Sequence, residues 1–552
     1  MSDYVAKPRF NAQIFSKEAT VATVSEKEGF TSTEKNKLKR ELTLLPLFGL
    51  IYFTVCGGAF GAEPMVGLSG PGLALVLMVL TPLIFSIPNM LMVREMQSMM
   101  PVEGGYYHWT KQAFGPFVGY MAGWMNWVVS WVDVSIYPVW TAWYLSYFIP
   151  QLSDGATIFG IDFSGSFLSW LVAATLIILI SMLNIRGARL SGLTTNWLGI
   201  LMIIPLVIMS GFGIYAGISS GTPLHFDFLA GGAEVNGSNL LAALSVGVYV
   251  AMWNCMGWEL PAAAGDEIKE PKKTYPKAMV LVLFAAILSY SLPTVAGLWG
   301  GADINGSHQM WGIEEYNEGE GIGAVLAENG VTETQIIEWG ADPATDAGWE
   351  FPTIAHKIGD NIAGKDSGLS YFLGSIVGIS AILSMIGLFI GNGLGGTRVP
   401  YAMAEDGMMP KWLNKVHPKF GTPWVSIAIC GAIYMVFSLS AFQSLVVIDV
   451  FLNMLVLMAE IFALVALRIK RPELPRNRVP GGVFGLIYIV VAPLSIIVLA
   501  IVSQIVDYGW QGAIGWGVIA MAIGAILYIP IRKFVKKDIP DVDPYVLNEP
   551  EN

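Results

Sequence analysis

Apolar runs of about 20 residues recur from one end of the chain to the other, and each is long enough to cross roughly 30 Å of hydrocarbon as a helix. The pattern predicts about twelve transmembrane helices, near 45–69, 72–93, 116–149, 167–184, 194–217, 239–264, 277–299, 369–394, 424–441, 444–467, 483–504 and 511–531. The runs lack the alternation of barrel strands. Helices satisfy their own backbone groups in lipid, so the expected fold class is an all-α polytopic membrane protein.

The polar stretches between the runs divide the chain. Residues 1–43 are expected to be a cytoplasmic tail, since no basic start, apolar core and small-residue cleavage site mark a signal peptide. A first five-helix unit spans 44–217 and a second spans 218–467, including a long loop at 302–368. Helices eleven and twelve occupy 468–531, and 532–552 forms a second tail. With both tails placed inside, all of the 31 Lys and Arg except Lys357 and Lys365 fall on the cytoplasmic side. This positive-inside bias supports both the helix count and a multi-pass protein of the cell membrane with cytoplasmic termini.

Composition agrees. Of 552 residues, 54% are hydrophobic and only 13% charged, with a mean hydropathy of +0.58, too little charge for the surface of a soluble domain this long. The net charge of −11 is local to residues 302–368, so it points to no nucleic-acid partner. Cys56, Cys255 and Cys430 are too few and too dispersed for a disulfide framework or zinc site and read as small packing residues. Asn236-Gly-Ser and Asn305-Gly-Ser fit the glycosylation pattern on external loops.

Two runs are interrupted at mid-depth. The first reads Phe53-Thr-Val-Cys56-Gly57-Gly58-Ala59-Phe60-Gly61-Ala-Glu63-Pro64, and the sixth reads Trp253-Asn254-Cys255-Met-Gly257-Trp258-Glu259-Leu-Pro261. Gly permits unwinding, and Pro removes a backbone donor. Unwound backbone at that depth is tolerated only where it lines a cavity or is buried in protein. Five spans separate the breaks, so the two helices cross in opposite directions. Matched interruptions in two inverted halves point to a transporter's binding site.

Glu63 and Glu259 lie at these breaks and Asp133 lies in span three. A carboxylate at mid-membrane costs on the order of 2.5–3.5 kcal/mol on insertion scales, so such groups face a cavity or a partner. They point to a cationic solute or to carboxyls that carry protons. Half-helix N-termini offer N–H groups at Gly57, Gly58 and Ala59 to a substrate carboxylate, and the carbonyls of Cys56 and Asn254 suit its ammonium. Trp253 and Trp258 are candidate gating aromatics, Asn126, Tyr137 and Asn254 secondary lining candidates, and Met202 a packing residue. Amphipathic stretches at Arg94–Trp109 and Thr397–Pro410 are expected to be interfacial gate-bracing helices. No P-loop, nucleophile elbow or metal-spaced His pair occurs, so no enzyme, cofactor or metal is expected.

The chain resembles the amino acid–polyamine–organocation permeases over residues 42–531. The matches run in order: Gly57-Gly58-Ala59-Phe60-Gly61; Glu95 through Pro101 with Gly104-Gly105-Tyr106; Phe114-Gly115-Pro116; Gly265 through Pro276; Gly421-Thr-Pro423; and Arg471 through Pro480-Gly-Gly. The resemblance implies a LeuT-like inverted five-plus-five fold with discontinuous helices one and six, two added helices, and alternating access for a small amine-containing solute. It implies that Gly57 to Gly61 cradle the solute, that Trp253 occludes it and that Glu259 handles solute or proton. Trp131-Val-Asp133, Tyr137-Pro138 and Trp253-Asn254 resemble most the polyamine-uptake branch. Met202 stands where many proton-coupled members carry a Lys. Coupling therefore stays open between sodium near Ser380 and Ser384, a proton on Glu259 or Glu63, and exchange without an ion. The resulting expectation is a secondary active carrier of amino acids or polyamines, with a nutrient sensor of the same fold as the alternative.

Overall fold

A computed structural model describes residues 41–534, apart from residues 101, 103, 159, 222, 225–226, 303–306, 313–320, 328–329, 340–341, 345–349, 440–441, 475 and 514. Most of the two tails and the Asn305 glycosylation pattern lie outside the described residues.

Span one is split into α1 (Leu44–Val55) and α2 (Glu63–Ser69). Span two is one long helix, α3 (Pro71–Thr81) and α4 (Ile87–Met99), joined by a π-type turn at Pro82–Ser86. A short helix α5 (Gly105–Phe114) leads into span three, α6 (Pro116–Ser146). After α7 (Gln151–Asp154) comes one departure from an all-α chain, a small antiparallel hairpin of β1 (Ala156–Ile158) and β2 (Ile161–Phe163). Spans four to seven are α8 (Gly165–Arg186), α9 (Ala188–Ser220), α10 (Gly237–Trp253) and α11 (Pro271–Gly297). The long loop holds α12 (Gly321–Ala327), α13 (Glu333–Glu338) and α14 (Phe351–Ala363). Spans eight to twelve are α15 (Gly368–Glu405), α16 (Trp424–Phe437), α17 (Phe442–Lys470), α18 (Gly482–Ala513) and α19 (Gly515–Phe534).

Among the described residues, seven helices are long and apolar enough to cross a membrane, and four shorter apolar ones accompany them. The Trp-rich α6, at 31 residues, adds a further candidate by length. Burial separates centre from rim: 67% of the apolar window of α15 is buried, against 17% for α8. The outward faces of α8 and α9 carry exposed Ile178, Leu179, Ile200, Leu201 and Val207, as lipid-facing helices do. At the centre α15 packs against both α6 and α1.

Two features differ from expectation. The second half of span six is not an α-helix; beyond Glu259 the chain forms two 3-10 turns, Leu260–Ala263 and Gly265–Glu267, because Pro261 and Gly257 interrupt helix propagation. Thr397–Glu405 is no separate interfacial helix but the continuation of α15, with Arg398, Tyr401 and Met403 buried against neighbours.

One end of the bundle is fastened by ion pairs. Arg398 Nε donates to Glu267 Oε1 at 2.9 Å with both side chains buried. Arg468 grips Glu95 in bidentate fashion, Nε to Oε1 at 2.8 Å and a terminal nitrogen to Oε2 at 2.5 Å, and Val479 N–H adds 2.9 Å to the same carboxylate. The Glu267 backbone is held as well: its carbonyl accepts from Glu41 and Leu42 N–H, and Lys269 N–H donates to Leu42 O, forming a parallel bridge between Leu42 and Ile268. Replacing Arg398 by Leu leaves Glu267 buried without its cation, a loss of about 3–5 kcal/mol. The expected result is a marked drop in thermal stability in detergent, largely recovered when Glu267→Leu is added.

Candidate functional site

Local chemistry makes both breaks. In the first, Gly58 (φ +76°) and Gly61 (φ +85°) take left-handed backbone, and Pro64 opens α2 where its missing N–H is harmless. Glu63 folds back so that Oε2 accepts Gly61 N–H at 2.6 Å, with Tyr144 hydroxyl at 3.5 Å from Oε1. Phe60 packs edge-on against Tyr144 and Phe351. In the second, Gly257 has φ +92° and lies against the Thr54 carbonyl of α1. The breaks touch directly: Asn254 Nδ2 donates to Gly61 O at 2.9 Å, and the Trp253 ring sits over Gly61 beside Trp140.

Trp253 also helps to line a cavity between α1, α6, α10, α15 and α17. Of the sequence candidates it is lined by Asp133, Tyr137, Trp253, Gly257 and Glu259. The Tyr137 hydroxyl donates to Asp133 Oδ1 at 2.6 Å and accepts from Asn392 Nδ2 at 3.0 Å, tying α6 to α15. Three acidic residues line this space, Asp133, Glu259 and Asp449, and among the described residues no Lys, Arg or His does. Such an arrangement attracts and pairs with a cation, and Trp253 and Tyr137 supply faces and a hydroxyl suited to an alkylammonium.

The other candidates do not line the cavity. Cys56 Sγ lies 3.7 Å from Gly58 O. Gly57 O accepts the Ser384 hydroxyl at 2.5 Å, and Ser380 donates to Met202 O at 2.7 Å, so the two serines clamp α15 to the first break and to α9. Met202 is buried and packs as expected, its thioether against Gly58. Ala59 is buried; the Asn254 carbonyl accepts the Tyr290 hydroxyl at 3.0 Å, and that of Cys255 accepts Ser86 at 3.5 Å. Trp258 is wholly buried, with its carbonyl bonded to Tyr275. Asn126 accepts the Tyr106 hydroxyl at 2.7 Å, away from the cavity.

Asp449, Asn453, Asn392, Ser130 and Thr54 line the cavity without having been singled out from sequence. The signal for Asp449 was present, since it is an acidic residue in the apolar run 444–467, which also contains Glu460.

Comparison with known proteins follows the same line. The chain resembles polyamine transporter PUT1 of Oryza sativa subsp. japonica, at 27% identity over 510 residues, covering 91% of this chain and 82% of that one. It is 28% identical to polyamine transporter RMV1 of Arabidopsis thaliana over 465 residues, 84% of this chain and 80% of that one. It is 25% identical to the serine/threonine exchanger SteT of Bacillus subtilis over 411 residues, 74% and 78%. The solved structure of MhsT in complex with L-phenylalanine superposes with a TM-score of 0.52 at 14% identity, covering 85% of this chain and 99% of that one, which shows the LeuT-like fold. The family model for amino acid permeases matches residues 42–313 and 347–528. A multi-pass bundle with two broken helices meeting over a carboxylate-lined cavity, matched over most of its length by this model, belongs to the amino acid permease family.

Proposed function

We propose that this permease carries polyamines and other amine cations across the membrane by alternating access, binding them in the cavity between Trp253, Asp133, Glu259 and Asp449. The observation that supports this most is charge: three acidic residues line one cavity that has no cationic residue among its described lining residues. A solute with two ammonium groups could neutralise two of them at once, whereas a zwitterion would bring a further carboxylate to an acidic site. The names of the rice and Arabidopsis relatives agree with a polyamine solute, and that of the Bacillus exchanger with a neutral amino acid. The cavity favours the former. Both termini are proposed to face the cytoplasm, on the distribution of Lys and Arg. The Gly57–Gly61 turn, Asn254 and Trp253 are proposed to move together as the solute is enclosed, since they are bonded across the two breaks. Ser380 and Ser384, with the carbonyls of Met202 and Gly57, form the place to test for sodium; Glu259 and Glu63 are the corresponding proton candidates.

Purified protein in liposomes is expected to take up labelled putrescine saturably, with spermidine and arginine competing and serine not. Imposed Na⁺ and pH gradients separate the two forms of coupling. Uptake of serine with no flux of any cation under either gradient would overturn the cationic assignment.

A further inference from the structure

One polar side chain of the cavity is engaged on one side only. Asn392 of α15 is 1% exposed and lines the cavity. Its Nδ2 donates to the Tyr137 oxygen at 3.0 Å and to Phe53 O, in the last turn of α1, at 3.5 Å. Both partners can only accept here, because the Tyr137 hydroxyl gives its proton to Asp133 at 2.6 Å and a main-chain carbonyl has none. The amide nitrogen is therefore the atom turned towards them, which fixes the amide and turns Oδ1 the other way. Among the described residues nothing donates to Oδ1, and it is not one of the polar atoms sealed in the interior, so it opens on the cavity. A tether between α15, α6 and α1 uses the nitrogen alone. The oxygen is left over.

The rest of the polar lining runs in the same direction. Three hydroxyl groups line the cavity, and each gives its proton to the protein: Thr54 to Ile51 O at 2.9 Å, Ser130 to Trp127 O at 2.7 Å, and Tyr137 to Asp133. Asn453 Nδ2 has one acceptor, Asp449 Oδ1 at 3.3 Å, and keeps an N–H to spare, whereas Asn392, with two, offers a solute its oxygen. Charge does not tell one amine from another. The carboxylates of Asp133, Glu259 and Asp449 and the face of Trp253 attract a quaternary ammonium as well as a primary one. An amide oxygen does tell them apart. It accepts an N–H of a primary or secondary ammonium, but a quaternary ammonium covers it with methyl groups and leaves it dry and unpaired. A site built to receive an N–H rejects the analogue that lacks one for that reason.

We propose that Asn392 is a specificity-determining residue of this permease: its Oδ1 accepts an N–H of the bound ammonium and confines the solutes to primary and secondary amines. Quaternary ammonium compounds are refused, although their charge suits the cavity. The two ends of the amide divide the work. Nδ2 holds the group in place through Tyr137 and Phe53, and Oδ1 reads the solute. This inference narrows the cation-site reading of the cavity to one class of amine, and it rests on that reading.

The test is calorimetric binding to the detergent-purified full chain of putrescine and of its hexamethyl derivative, in which both ends are trimethylated. Wild type is expected to bind putrescine at least about 100-fold more tightly. Asn392→Leu, similar in shape but without the amide, should weaken putrescine by about 10- to 100-fold and leave the hexamethyl compound unchanged or tighter. The preference then falls by that factor or more. If the methyl groups were excluded by size alone, the variant would keep the wild-type preference. If Asn392 were only a tether, both solutes would weaken alike. Either result in a variant that elutes as folded protein overturns the proposal. So does equal affinity of wild type for the two compounds, a measurement that needs no variant to fold. Absence of binding of putrescine, spermidine and arginine to wild type would instead bring down the cation-site reading, and this inference with it.

Discussion

Asp449→Asn is expected to weaken putrescine binding by about 30- to 1000-fold, the equivalent of about 2–4 kcal/mol, while raising the thermal stability of the empty protein. The two effects have one cause. Asp133, Glu259 and Asp449 line the same small space with no cationic residue among its described lining residues, so their mutual repulsion is relieved when a proton or a cation binds there. Removing one charge relieves that repulsion permanently and takes away a partner that the ammonium needs. A residue that merely packed would show the opposite pattern, with stability falling and affinity following it. Calorimetric binding beside a thermal melt distinguishes them. Asp133→Asn should act in the same direction but be less clean, because Asp133 also accepts the Tyr137 hydroxyl that joins α6 to α15.

The other large effect is conformational. Gly257→Ala is expected to abolish transport and most folded protein, at a cost of about 3 kcal/mol or more. The new methyl group would lie 2.1 Å from the Thr54 carbonyl oxygen, and the residue would be held at φ +92°, where side chains are strained. Neither problem relaxes alone, since the obstacle is backbone of α1. Gly58→Ala gives the internal comparison. Its φ of +76° is also unfavourable, but the nearest atoms are the flexible ends of Leu206 and Met202, at 3.1 and 3.3 Å. The milder substitution should leave measurable folded protein and reduced uptake. Size-exclusion profiles and uptake rates of both variants check the ranking.

Much of this architecture is written in local chemistry, which is why the sequence discloses it. Gly58, Gly61, Gly257 and Pro64 state where helices must stop, and the breaks appear between Val55 and Glu63 and after Trp253 as that chemistry requires. Acidic residues in apolar runs disclose Asp133 and Glu259 for an equally local reason. What depends on facing is not legible. Glu63 and Asp133 look alike on paper, yet one carboxylate turns back on its own backbone and the other lines the cavity. Trp253 and Trp258 are five residues apart, and only the first reaches the cavity. Asp449 obeyed the same rule as Asp133 but stood far in sequence from the breaks, on a helix whose relation to them is purely tertiary. The length of α15 was misjudged because buried Arg398 and Tyr401 resemble an amphipathic surface until the neighbours that cover them are known.

The bridge between Leu42 and Ile268 makes the lead-in to α1 a tether. It is knotted to the segment just beyond the second unwound helix, at a residue whose side chain is already clasped by Arg398. A pull on Leu42 would be carried directly to the segment after Trp253. Deleting the chain through Leu42, which removes this bridge, is expected to loosen that segment, read as faster hydrogen exchange at Ile268 and Lys269.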